Sequence, residues 1–216
     1  MNVIEFGSAS DTLLIQPVDD HDLAVIDSEI RMIKQMTGHS FQLIAVKIEN
    51  WNQELSPWQA PAVFGNEPFG SGAADTLATI LKHCEGQSKT CFLGGYSLAG
   101  LFALWAAYRT DRFTGIAAAS PSVWFSGFSA YMRENPIRTG MVYLSLGDRE
   151  EKTRNPVMAT VGDCIRDDYK LLREQGLRCT LEWNSGNHFK EPDLRTAKAF
   201  AWLMQQSAEN LNADAN

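Results

Sequence analysis

The sequence predicts an α/β fold: a central, mostly parallel sheet covered by helices on both faces. Short apolar runs alternate with longer amphipathic ones along the whole chain. The short runs are apolar nearly throughout, as strands buried on both faces are. Strands that alternate with helices need crossover connections, which lay the helices against the sheet. The 216 residues, 44% of them hydrophobic, suit one domain spanning 1–216. No linker, repeat or low-complexity segment interrupts it, and the tail from about 208, "AENLNADAN", is expected to be frayed.

The elements follow in order. Residues 12–18, "TLLIQPV", read as a buried strand, and 23–36, "LAVIDSEIRMIKQM", as an amphipathic helix. Residues 41–48 are a second strand. A long loop over 49–72 holds three of the eight prolines. A helix is expected over 73–84, a strand over 89–97 and a strongly apolar helix over 98–109. Residues 113–120 read as a strand, 123–135 as a helix and 141–147, "MVYLSLG", as a strand. Over 155–176 a helix is expected with Asn155 as cap, Pro156 in the first turn and Gly176 as its stop. A last strand over 178–184 and a helix over 194–206 complete the pattern.

Composition narrows the function. Nineteen basic against 26 acidic residues give a net charge of -7 with no basic stripe, which argues against nucleic acid and anionic membranes as partners. No apolar run approaches the roughly 20 residues of a membrane span. The first residues lack the basic and apolar regions of a secretory signal, so a cytoplasmic protein is expected. Cys84, Cys91, Cys164 and Cys179 lie far apart, with no zinc spacing, and read as reduced thiols. The G-x-G-x-x-D of "FGSGAAD" follows no strand and lacks the third glycine of a dinucleotide site. "GYSLAG" lacks the lysine of a phosphate-binding loop. No metal or cofactor is therefore expected, and no oligomeric state is specified.

The chemistry centres on "GGYSLAG". Ser97 stands where a strand turns into a helix, at the carboxyl end of the strand, where parallel sheets gather functional groups. A G-x-S-x-G turn there is the nucleophile elbow of α/β-hydrolases, although Ala99 replaces the second glycine. The competing reading is a serine that merely caps a helix. A serine nucleophile needs a base, and the base an orienting carboxylate, in the chain order Ser, acid, His. Of four histidines, His39 and His83 precede strands and His21 precedes Ser97. His188, after the last strand, is the candidate base. Asp148, Glu150 and Glu151, after the strand over 141–147, are the candidate acids. The oxyanion would be bound by the amide of Leu98 and by one from the loop after the first central strand. Pro17 has no N–H, which leaves Val18 or Asp19, with Val18 preferred. Trp51 and Trp58, at the same edge, Tyr96 beside the serine, and Trp124 are candidates to line a substrate groove, against ordinary packing of aromatic area.

Together, "GGYSLAGLFALWAAY", "AAASPSVWF", "LSLGDREE" and "GNHF" resemble the esterase family of the α/β-hydrolase superfamily that includes siderophore esterases, S-formylglutathione hydrolases and mycolyltransferases. The resemblance runs from about Leu13 to Leu203. It implies an α/β-hydrolase fold and hydrolysis of small-molecule carboxylic esters through an acyl-enzyme; the chain departs in being short, with no sizeable cap domain expected after "SPSVWF". Relatives end the strand before the acid in G-x-x-E, which implies Glu150 as the acid, with Asp148 the alternative. It also implies that Ser120-Pro121-Ser122 borders the pocket. The His-Gly that often opens the oxyanion loop is here Gln16-Pro17. The same constellation serves thioesterases, peptidases and acyltransferases. A non-catalytic binding module on this fold is the reading from outside enzymology.

Overall fold

A computed structural model describes residues 2–84 and 90–214, without the side chains beyond 209. The described strands form one seven-stranded sheet in the order β1-β3-β2-β4-β5-β6-β7. They are β1 (Asn2–Phe6), β2 (Thr12–Val18), β3 (Gln42–Lys47), β4 (Thr90–Tyr96), β5 (Gly115–Ala119), β6 (Met141–Gly147) and β7 (Arg178–Asn184). All neighbours are parallel except β1, which runs antiparallel to β3 at the edge. The fold class and six of the strands match the expectation from sequence. The edge strand β1 does not appear in it, because "NVIEF" is half exposed and carries no continuous apolar run.

Adjacent residues of a strand feed opposite faces, so each central strand serves two cores. Leu13, Ile15, Leu93 and Leu144 pack toward α3 (Ala73–Lys82), α4 (Leu98–Ala106) and α6 (Val161–Glu174). Leu14, Phe92, Ala117 and Tyr143 pack toward α1 (Asp20–Thr37) and α7 (Pro192–Asp214). All nine residues of α4 are buried, which suits a helix apolar on every side.

Several boundaries move for local reasons. Asp19 caps α1 by a reciprocal capping box with Asp22, so the helix begins three residues before the apolar pattern does. Trp51–Glu54 forms a short helix, α2, inside the proline-rich loop, capped by Asn50. Only Phe128–Glu134 of the expected 123–135 helix forms, as α5, after Gly127 at φ 81°. Asn155 accepts the amides of Val157 and Met158 and so caps a 3-10 turn; α6 starts at Val161, and Gly176 at φ 82° follows its end as expected. Helix α7 begins at Pro192 and continues through Asp214, across most of the expected loose tail.

Candidate active site

The carboxyl ends of β4, β6 and β7 meet at one place. Ser97 links β4 to α4 with φ 57° and ψ -118°. Holding a non-glycine residue there costs about 1–3 kcal/mol. The surrounding backbone imposes it: Ser97 N–H donates to Ala119 O (3.1 Å), and Ser97 O accepts from Leu101 and Ser122 (3.1 and 3.0 Å). The elbow is also crowded. A Cβ on Gly95 would lie 2.6 Å from the Ala99 Cβ, so alanine at 99 is tolerated only because 95 is glycine.

Of the three candidate acids, Glu150 reaches the imidazole. His188 Nε2 lies 3.0 Å from Ser97 Oγ and His188 Nδ1 lies 2.6 Å from Glu150 Oε2. The other carboxylate oxygen, Oε1, accepts from Gly147 N–H (2.7 Å), Ser120 Oγ (2.8 Å) and Arg195 Nη1 (2.8 Å). Burial disfavours the ionised form. The hydrogen bond and charge of His188, with those from Gly147 and Ser120, outweigh it and hold Glu150 below the usual carboxylate range. An ionised Glu150 takes the Nδ1 proton as acceptor, which leaves Nε2 to accept from the Ser97 hydroxyl. Asp148 instead accepts the Gly186 amide (2.8 Å), bracing the loop that carries His188, and Glu151 pairs with Arg166 (2.9 Å).

The remaining expected residues divide. Leu98 begins α4 directly after Ser97, with its N–H among the unpaired donors of a first helical turn. The expectation for Val18 does not fit its peptide: its carbonyl accepts Ile48 N–H at 2.9 Å. In a strand, N–H and C=O of one residue point to the same edge, so the Val18 amide faces β3 and not Ser97. The next amide, Asp19, donates to Asp22 Oδ2 at 3.1 Å. Trp51 and Tyr96 line a cavity of about 380 Å³ with Ser97, His188, Asp19 and Asp22. Trp124 lines a second, of about 300 Å³, with Arg149, Lys152, Met158 and His188. Phe189, 85% exposed, and His188 border both. Trp58 is structural: its indole donates to Ser126 O, and it packs on Phe125 and Tyr131. Among the described residues, no three His, Cys, Asp or Glu side chains are grouped to hold a metal ion.

The sequence placed Ser120 and Ser122 only at the border of the pocket, and it missed Arg195. Ser122 Oγ lies 3.2 Å from Ser97 Oγ, and Ser120, at φ 42°, holds Glu150 rather than bordering a pocket alone. Arg195 is 1% exposed and binds Glu150 from behind. A signal for it existed: it shares the apolar stripe of α7 with Ala199 and Leu203, four and eight residues on, where a cation needs a buried partner.

No family model and no curated protein matches the chain in sequence. Solved structures do match in shape. Siderophore hydrolase EstA from Aspergillus nidulans is 19% identical over 93% of this chain and 86% of its own, with TM-score 0.69. An IroE-like serine hydrolase from Shewanella oneidensis is 13% identical over 94% and 75%, with TM-score 0.74. The fold is that of the α/β-hydrolases. The enterobactin esterase Fes from Shigella flexneri is similar as well, at 14% identity and TM-score 0.64, and this chain spans 55% of its length.

Proposed function

We propose that the chain is a serine esterase that cleaves carboxylic esters through an acyl-enzyme, with Ser97 as nucleophile, His188 as base and Glu150 as orienting acid. The observation that carries this is the unbroken relay from Ser97 Oγ through both nitrogens of His188 to a buried, ionised carboxylate. His188 Nε2 takes the serine proton as Oγ attacks the ester carbonyl. The oxyanion is bound by the Leu98 amide at the start of α4. The tetrahedral intermediate collapses, the alcohol leaves with the proton from His188, and the acyl group stays on Ser97. Water then repeats the sequence and releases the acid. Glu150 stays ionised throughout, fixing the tautomer and stabilising the imidazolium.

The two cavities that share His188 and Phe189 as lining give the acyl and alcohol arms separate places. This favours bulky esters, and the siderophore esterases among the structural neighbours make ester-linked siderophores the first class to test. The test is labelling with a fluorophosphonate, followed by a panel of short acyl, aryl, thio- and siderophore esters. Labelling at Ser97 with ester turnover supports the reading. An unlabelled chain with no turnover supports a binding module instead.

A further inference from the structure

Arg195 is a costly residue for helix α7 to carry. A guanidinium stays charged, and this one is 1% exposed. Its contacts fall in two groups. Nη1 lies 2.8 Å from Glu150 Oε1, 3.1 Å from Ser120 Oγ and 3.0 Å from Tyr96 Oη. Nη2 donates to the carbonyls of Asn187 (3.0 Å) and Ser185 (3.3 Å). The first group holds the acid. The second holds the segment that presents His188. Tyr96 closes the circuit by donating its hydroxyl to the His188 carbonyl at 2.7 Å. One rigid side chain thus sets the distance between the carboxylate and the imidazole backbone, a task that lysine's single point of charge cannot perform.

We propose that Arg195 is a positioning residue: it locks Glu150 and the 185–187 backbone in one frame, so that His188 stays aimed at Ser97. This rests on the role given above to Ser97, His188 and Glu150. Arg195 forms an ion pair with the buried Glu150. Without the guanidinium, the carboxylate would be balanced by the imidazole alone, which favours the imidazolium, the form that cannot act as base. Other charged or titratable groups border His188: Asp19, His21 and Asp22 at the start of α1, Tyr96 from β4, and Arg149 and Lys152 after β6. Of these only Tyr96 touches Arg195, and it loses that donor when Arg195 is replaced.

The test compares wild type, Arg195→Met and Arg195→Lys on one ester from about pH 5 to pH 9, alone and in a Glu150→Gln background. Arg195→Met should lose about 100-fold in kcat with KM within about twofold, because Arg195 does not touch substrate. The acidic midpoint of its rate profile should move up by about one pH unit. Arg195→Lys restores the charge but not the fork, so its midpoint should stay near wild type while kcat falls about tenfold. With Glu150→Gln, either substitution should cost less than about threefold more, since the residue they act through is gone. A merely structural arginine would lower kcat equally in both backgrounds and leave the midpoint in place, and that result overturns the proposal. If Arg195→Met does not fold, Arg195→Lys decides: wild-type kcat, or an equal loss in both backgrounds, overturns it. A wild-type chain that hydrolyses no ester and takes no label defeats the esterase reading and this proposal with it.

Discussion

Ser97 stands between two walls built in different ways. On the side of β6 and β7, Glu150, Ser120, Tyr96, Arg195 and the backbone of 185–188 form a buried net. Its members come from positions up to 99 residues apart in the chain. On the side of β2, the wall is the start of helix α1, where Asp19 and Asp22 serve each other's amides over three residues. Burial pushes Asp22 up to about 6; the bond from the Asp19 amide opposes this and the Asp19 charge adds to it. The difference follows from the work. On the proposed function, a proton path must hold its geometry through every turnover, which suits non-local contacts that move only together. The wall at α1 faces the cavity shared with Ser97 and is held by local capping contacts alone.

Removing the relay should have the largest effect. Ser97→Ala and His188→Ala should each lower ester turnover about 10⁴-fold or more, and Ser97→Ala should abolish fluorophosphonate labelling. Turnover of either variant within about tenfold of wild type would end the esterase assignment. Next is the acid. Glu150→Gln should cost about 10²–10⁴-fold in kcat, while Asp148→Asn and Glu151→Gln, whose side chains face Gly186 and Arg166, should stay within about tenfold. A large loss in Asp148→Asn alone would move the acid to that residue.

Within the rigid wall, Ser120→Ala removes one of the three donors to Glu150 Oε1 and should lower kcat about tenfold with KM nearly unchanged. The smallest effect belongs to the other wall. Asp22→Asn should change turnover by less than about fivefold, yet alter how stability depends on pH. The folded value of Asp22, about 6, lies above the reference 3.8, so wild type holds this contribution below about pH 4 and loses it as pH rises through about 6. Asparagine does not titrate. Thermal midpoints of wild type and Asp22→Asn should therefore differ in favour of the variant by a few degrees more at pH 8 than at pH 4. Parallel pH curves for the two proteins would remove Asp22 from this account.

Much of this was legible in the chain because the responsible signals are local. The strands β2, β4 and β6 are apolar nearly throughout, and Gly95 and Ala99 beside Ser97 are small because strand and helix nearly touch there. His188 could be placed by its position after the last strand. The acid was narrowed only to Asp148, Glu150 and Glu151 by position, and a family resemblance singled out Glu150. The geometry separates the three, since a 3-10 turn at Glu150–Lys152 points one inward while its neighbours brace a loop and pair with Arg166.

By itself, then, the sequence determined the alternation of strands and helices, the elbow at Ser97 and the chain order of serine, acid and histidine. Each is written in spacing and residue size over a few positions. Only the tertiary structure decided which peptide edge Val18 presents, which carboxylate meets the imidazole, and that Arg195 belongs to the site at all. Those are properties of register and burial between segments far apart in the chain. The apolar stripe of α7 marks Arg195 as buried, but nothing about the neighbours of residue 195 or residue 96 states the distance between them, so its partners have no local signature.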